Sequence, residues 1–187
     1  MTAAVLLSTW QGPLLGQEVL GERSPPATRP VCFKARALPS CRAFLLTEFS
    51  LSTSEFGDQN RSEDHLRWDL GAMVNVTRKD AVGLSLGFGE AESGRWGAAL
   101  RYRRWILENA AVEIAPGFVS RGGGAYPRET RVTGDVSLVL GGWVALFGYV
   151  EETGDGPRIG TGARFGAWPG AILGLLSYAF IGIVPTT

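Results

Sequence analysis

Strict alternation of apolar and polar residues is the clearest pattern in this chain. Every second residue is apolar from Leu66 to Val76, and again from Val82 to Phe88. Successive side chains of a β-strand point to opposite faces, so each run predicts a strand with one apolar face. Residues 78–80 leave room only for a tight turn between the runs, which predicts an antiparallel hairpin.

The same alternation continues from residue 43 to residue 184 and predicts nine strands. The predicted connections alternate in length, with tight ones at 78–80, 108–109, 141–142 and 169–170 and longer ones at 53–64, 90–95, 121–130 and 151–157. In an up-and-down meander the tight turns then share one end, which is typical of transmembrane β-barrels. We therefore predict an all-β fold, an antiparallel up-and-down transmembrane β-barrel of about 8–10 strands whose apolar face meets lipid.

The predicted number of strands is odd, whereas bacterial barrels made from one chain have an even number. Either the first or the last segment lies outside the wall, or a further strand lies within 31–36. The last strand is predicted over 171–184. Pro116 is predicted to mark a β-bulge, because proline has no N–H for the strand ladder.

The Gly141-Gly142 hairpin fixes the predicted register of two strands. In a two-residue hairpin the flanking residues pair on one face, so Leu140 and Trp143 are predicted to share the lipid face. The same parity places Tyr149 on the lipid face and Glu152 in the lumen.

Aromatic residues near the strand ends predict the two interfacial belts of a membrane barrel. The predicted belt residues are Trp68, Phe88, Trp96, Phe118, Trp143 and Tyr149. The opposite face of the strands is small or charged. Its charged members predict a polar network in the lumen, formed by Glu48, Arg67, Asp69, Arg101, Arg103, Glu113, Arg131, Asp135, Glu152, Arg158 and Arg164. An eight-stranded barrel is just wide enough for side chains to fill it, so we expect a plugged interior in which Arg101 and Arg103 pair with Glu113.

Composition limits the functions that this chain can have. Glycine makes up 26 of the 187 residues, charges balance at a formal net charge of zero, and lysine occurs only at Lys34 and Lys79. There is no basic footprint for nucleic acid, and no uncharged apolar run long enough to predict a transmembrane helix. The glycine-rich stretches 122–124 and 160–162 lack the strand-to-helix context of a phosphate loop. We therefore expect neither nucleic acid nor a cofactor.

The N-terminal part has no period. Residues 1–17 are interpreted as either a signal-peptide remnant or a floppy tail, and 18–42 as a proline-rich leader to the barrel over 43–184. If the chain is exported, Cys32 and Cys41 are predicted to form a disulfide, with free thiols as the alternative. Two thiols and one distant histidine do not predict a metal site.

In its strands, turns and faces, the segment 43–184 resembles the small outer-membrane β-barrels of Gram-negative bacteria, the group of the OmpA-like, OmpX-like and OmpW-like barrels. The resemblance implies an outer-membrane location, periplasmic tight turns and extracellular loops. Members of the group act as structural anchors, adhesins, narrow channels or lipid A-modifying enzymes. The expected partners are the lipid bilayer and an extracellular ligand or protein at the longer loops, especially 53–64 and 121–129.

The barrel enzymes of this group use a histidine, a serine and a carboxylate near the outer rim. Ser62, Asp64 and His65 lie together in this sequence and are weak catalytic candidates, although the His-x-Ser pattern of the deacylases is absent. We expect a non-enzymatic barrel. A lipid A-modifying barrel and a soluble lipocalin-like calyx, with the faces reversed around an apolar ligand, are the alternatives.

Overall fold

The chain folds into strands followed by one helix. The computed structural model describes residues 29–38, 40–56, 61–89, 95–122, 129–154 and 156–181, with the backbone alone at 55–56, 61–63 and 177–181. The elements are β1 (Arg29–Cys32), β2 (Cys41–Phe56), β3 (Arg61–Asn75), β4 (Asp80–Gly89), β5 (Arg95–Leu107), β6 (Ala110–Arg121), β7 (Glu129–Leu140), β8 (Val144–Thr153), β9 (Gly156–Phe165) and α1 (Ala167–Ile181). The predicted signal-peptide segment 1–17 lies outside the described residues.

Strands β2 to β9 close into a barrel. Each pairs antiparallel with the next along the chain, and β9 returns to pair with β2, with Phe165 opposite Phe49 and Ile159 opposite Glu55. The prediction of an antiparallel up-and-down β-barrel is confirmed. The closed circuit contains eight strands, which lies within the predicted range of about 8–10, and the last of the nine predicted strand segments is outside the wall.

The segment that we predicted as the last strand, 171–184, is helical where the structure describes it. Helix α1 begins directly after β9. The segment is apolar on every side and is rich in Ala and Leu, which favour helix, while Pro169 lies in the first turn, where its missing N–H breaks no helical hydrogen bond. Among the described residues no helix is long and apolar enough to cross a membrane.

Strand β1 occupies the part of the β2 edge that β9 leaves free. It runs parallel to β2, with Arg29 opposite Cys41 and Cys32 opposite Phe44, whereas β9 pairs with β2 only from Phe49 onward. The other edge of β2 is taken by β3 along its length. The extra strand considered within 31–36 therefore exists in part, as a short addition beside the barrel circuit.

The β7–β8 turn has three residues, so the predicted two-residue hairpin is wrong. Leu140 pairs with Val144, not with Trp143, because Gly141 and Gly142 both adopt left-handed φ angles of 60° and 68° and the turn includes Trp143. A shift of one residue exchanges the two faces of a strand. All of β8 is therefore reversed relative to the prediction.

Two further predictions of local structure also fail. Pro116 lies opposite Gly134 in register, and the break in β5–β6 pairing beside it resumes without a shift, so the bulge lies between Trp105 and Leu107 instead. The predicted loop 53–64 is largely strand, because β2 and β3 stay paired as far as Phe56 and Arg61. The remaining connection, 57–60, lies outside the described residues.

Candidate functional site

A charge cluster fills the middle of the lumen. We call it the central cluster; it contains Glu48, Arg67, Asp69, Arg101, Arg103, Glu113, Asp135 and Arg164, all of them predicted lumen residues. Strand alternation turns these side chains inward from β2, β3, β5, β6, β7 and β9. Four carboxylates meet four guanidinium groups, so the cluster is electrically balanced.

Glu113 is the centre of this cluster. Its carboxylate lies 2.8 Å from Arg101 Nη1, 2.5 Å from Arg103 Nη2 and 3.5 Å from Arg164 Nη1. The side chains of Glu113 and Arg103 are 0% and 1% exposed. The predicted pairing of Arg101 and Arg103 with Glu113 is therefore present in the structure, and a second carboxylate, Glu48, lies 2.5 Å from Arg101.

The remaining members tie the cluster to the wall. Arg67 donates two hydrogen bonds to Asp69 Oδ1, at 3.0 and 2.7 Å. Arg164 lies 3.2 Å from Asp135. Arg101 Nε donates a hydrogen bond of 2.9 Å to Ser85 on β4, whose small inward side chains leave room for the arginine. Burying a charge costs free energy unless it is paired, and every charged member of this network is paired with an opposite charge from the same or another strand.

A second charge cluster lies nearer the loop end, around Glu151. Its carboxylate accepts contacts from Arg95 at 2.5 Å, Arg121 at 3.1 Å and Arg131 at 3.7 Å. Arg158 is buried on β9 directly opposite Glu151. Glu151 is completely buried and Glu152 is exposed, so the predicted lumen position of Glu152 is wrong.

The error at Glu152 follows from the reversed parity of β8. Arg158 has the inward parity of β9 and pairs in register with Glu151, and cross-strand partners share a face. Counting back from Arg158 across the β8–β9 hairpin would have identified Glu151 from the sequence. Arg95 and Arg121 were not among the residues of the predicted lumen network, because both stand at strand ends beside connections whose length the sequence does not fix.

The tight-turn end of the lumen is closed by apolar side chains. We call this set the apolar layer; it consists of Phe44, Leu46, Met73, Ala81, Trp105, Ala111, Val139 and Ala145. Phe44 and Trp105 meet edge to face with ring centroids 6.2 Å apart. Trp105 Nε1 donates a hydrogen bond of 3.2 Å to Asn75 Oδ1, so the one polar group of the ring has a partner.

Residues 33–38, which we call the plug, cover this apolar layer at the tight-turn end of the barrel. Cys32, Ala35 and Ala37 pack against it. Asn75 Nδ2 donates hydrogen bonds to the carbonyl oxygens of Arg36 at 2.7 Å and Cys41 at 2.9 Å. Cys32 and Cys41 form a disulfide that joins the two ends of the segment. The lumen is thus filled at three levels, by two charge clusters and the apolar layer, and is covered at the tight-turn end.

The predicted aromatic belts are present only in part. Phe88, Trp96 and Phe118 lie exposed on the outer face towards the loop end. The ring centroids of Trp96 and Phe118 are 5.7 Å apart. The other three positions differ from the prediction. Trp68 is half-buried against Gly174 of α1, Trp143 lies in the β7–β8 turn, and Tyr149 faces the lumen beside Gly160.

Two of the weak catalytic candidates, Asp64 and His65, do not come together. Asp64 is exposed, and neighbouring residues of a strand face opposite ways, so its side chain points away from that of His65. The structure describes only the backbone of Ser62. His65 Nε2 instead lies 3.5 Å from Ser54 Oγ on the neighbouring strand. Within the described ranges, His, Cys, Asp and Glu form no group that could hold a metal ion.

Comparison with known proteins gives no family for this chain. No family model matches it, and no curated protein matches it. Among solved structures it is similar to a de novo designed transmembrane β-barrel, with 9% sequence identity and a TM-score of 0.40 over 66% of this chain and 94% of that chain. The barrel assignment therefore comes from the strand pairing of this chain itself.

Proposed function

We propose that this protein is an integral outer-membrane β-barrel with a sealed lumen, which is non-enzymatic and acts as a structural or surface-binding protein through its loop end. The tight turns and the plug then face the periplasm, and the opposite end of the barrel faces the outside.

The observation that carries this proposal is the outer face of the wall. Every strand of the barrel has large apolar side chains exposed on its outer face, apart from the stretch of wall that α1 covers. Leu84, Leu100 and Ile159 are each more than 60% exposed. Soluble monomers rarely expose apolar patches beyond a few hundred Å². A band that runs round a closed barrel fits the hydrocarbon layer. A soluble calyx would need an apolar interior, whereas the middle of this lumen is charged.

The filled interior favours a role other than conduction. Porins leave an aqueous channel because their barrels have 16 or more strands, whereas a barrel of about eight is filled by its side chains. Here the central cluster, the apolar layer and the plug follow one another along the axis. The recognition surface is then left to the loop end.

Electrophoretic mobility of unboiled and boiled samples tests the proposal. The chain is refolded from denaturant with and without detergent micelles, and both samples are compared with a thermally unfolded control. We expect a compact, faster-migrating band only when micelles are present, because the apolar outer face needs an apolar solvent. A compact, monodisperse species in plain buffer would overturn the membrane assignment.

The pair Ser54 and His65 favours a second candidate, a lipid-modifying barrel enzyme. A histidine within reach of a serine hydroxyl can act as its base, and Ser54 is fully buried at the loop end. This candidate predicts hydrolysis or transfer of a lipid acyl chain that His65→Ala abolishes while the mobility shift is retained. Absence of both acyl release from lipid A and acyl transfer to lipid A by the refolded wild type would eliminate it.

A further inference from the structure

A cleft opens at the tight-turn end, between the plug, β1 and the start of α1. Its volume is about 510 Å³. Its lining contains three cations, three aromatic residues and no carboxylate; the cations are Arg29, Lys34 and Arg36, and the aromatic residues are Phe33, Trp143 and Trp168.

The cations of this cleft differ from the arginines of the lumen. Every arginine of the central cluster faces a carboxylate, whereas no carboxylate of a described residue forms an ion pair with Arg29, Lys34 or Arg36. The wider end is also basic. Among the described residues it carries Arg29, Lys34, Arg36, Arg42, Arg78, Lys79 and Arg104 against Asp80 and Glu108. Within the part of the chain that the structure describes, the cleft thus concentrates positive charge that no carboxylate pairs with.

The aromatic residues place this charge at the boundary of the apolar wall. Lys34 Nζ lies 4.7 Å from the centroid of the Trp143 ring, and the rings of Phe33 and Trp168 are 4.7 Å apart. Trp143 directly precedes β8, whose outward residues Val144 and Leu146 are exposed. Tryptophan prefers the level of lipid headgroups, so cations and rings meet where a headgroup joins its acyl chains.

We propose that this cleft is a binding site for the headgroup of an anionic phospholipid, with the phosphate held by Arg29, Lys34 and Arg36 and the acyl chains lying along the outer face beside Trp143. Basic pockets next to the membrane bind acidic headgroups in this way, and arginine matches phosphate oxygens with paired donors. The inference rests on the proposed membrane insertion and deepens it by naming a lipid partner.

The electrostatics of Lys34 agree with an anion in this place. Burial, and secondly the positive charge of Arg36, lower the pKa of the Lys34 ammonium group. A bound phosphate would oppose both effects and raise this pKa towards its ordinary value. The chain has only one other lysine, Lys79, which lies in the β3–β4 turn away from the cleft and serves as an internal reference.

Native mass spectrometry of the refolded full chain in micelles measures the binding. Phosphatidylglycerol and phosphatidylcholine are titrated separately, and each bound lipid is counted. We expect preferential retention of one phosphatidylglycerol. The double variant Lys34→Ala/Arg36→Ala should weaken this binding about tenfold or more, since each cation near a headgroup contributes about a factor of five. The matched variant Arg42→Ala/Lys79→Ala removes the same charge outside the cleft and should change the affinity less than twofold.

Three results would overturn the site. Equal retention of the two lipids would show that headgroup charge is not recognised. Equal losses in the cleft and matched variants would assign the effect to the general charge of this end. Displacement of phosphatidylglycerol by an equal concentration of inorganic phosphate would identify a free phosphate site instead of a lipid site. Carbon-13 spectra of dimethylated lysines supply a second readout, in which phosphatidylglycerol should raise the pKa of Lys34 and leave that of Lys79 unchanged.

Failure of the lipid site and failure of membrane insertion give different results. A chain that shows the mobility shift but no preference for phosphatidylglycerol overturns the lipid site alone. A chain that folds in plain buffer overturns the proposed function. The site is then tested with phosphatidylglycerol of short acyl chains, which dissolves as monomers, and lack of binding by the wild type would overturn the site as well.

Discussion

The two faces of the barrel wall show the reverse of the arrangement in a soluble protein, with charged residues buried inside and apolar residues exposed outside. Inside, Glu113 and Arg103 are fully buried and paired, while outside, Leu84 and Val132 stand more than 60% exposed. A soluble protein stabilises its fold by moving apolar surface out of water. This wall keeps most of its large apolar residues on the outside and fills its middle with ion pairs, so the two faces should respond to mutation in opposite ways.

The largest effect is expected inside the barrel, at Glu113. The variant Glu113→Ala leaves Arg101 and Arg103 with one fewer buried carboxylate, and removing one partner of a buried ion pair costs about 3–5 kcal/mol. The free energy of unfolding, measured by denaturant titration of the refolded protein in micelles, reports this loss. The control Glu108→Ala changes an exposed glutamate in the β5–β6 turn and should alter stability by less than about 0.5 kcal/mol. Stability like that of the wild type for Glu113→Ala would contradict the central role of this carboxylate.

The next largest effect is expected outside the barrel, at Leu84. Arginine at the midplane of a membrane barrel costs about 2–4 kcal/mol, and this falls to about 0–1 kcal/mol near the boundary. Leu84→Arg should therefore destabilise the protein in lipid vesicles far more than Val76→Arg, since Val76 lies beside the β3–β4 turn. Denaturant titration of both variants and the wild type in lipid vesicles measures the two losses in the free energy of unfolding. If both variants are neutral, this face meets water, and the assignment of inside and outside fails.

The alternation of faces could be predicted from the sequence wherever a strand lies between connections of clear length. The hairpin from Leu66 to Phe88 is antiparallel as predicted, and its apolar residues face one another across the two strands, with Trp68 opposite Phe88 and Val74 opposite Val82. The members of the central cluster were predictable for the same reason. Charged side chains at inward positions of a narrow closed barrel can only contact one another.

The errors arose where the period of two carries no information. Turn length after Leu140 depends on the φ angles of two glycines, and a third turn residue reversed β8. The final segment is apolar at nearly every position, and such a run does not separate strand from helix. Helix α1 packs against Trp68, so this residue is half-buried and does not belong to the exposed belt. No local pattern in the sequence could show that contact.

The seat of α1 on the outer face gives a third, smaller prediction. A Cβ at Gly170 would collide with the carbonyl oxygens of Phe165 and Thr47, both of which belong to the wall. Gly170→Ala should displace α1 and cost about 1–3 kcal/mol, as overpacking does. Hydrogen exchange of the α1 amides should accelerate. The control Gly134→Ala adds the same methyl group where nothing lies within 4 Å, and it should leave exchange in α1 unchanged. Equal exchange in both variants would show that α1 does not depend on this close approach.

The smallest predicted effect compares one substitution on the two faces. Trp105→Phe, inside, removes the hydrogen bond to Asn75 Oδ1 and should cost about 1 kcal/mol. Trp96→Phe, outside, removes no hydrogen bond that the structure shows for the described residues and should change stability by less than about 0.5 kcal/mol. Denaturant titration with matched micelles separates the two values. Because both substitutions remove the same atoms, a larger loss at Trp96 would mean that hydrogen bonding under the plug contributes less than contact of an aromatic ring with the surrounding lipid or detergent.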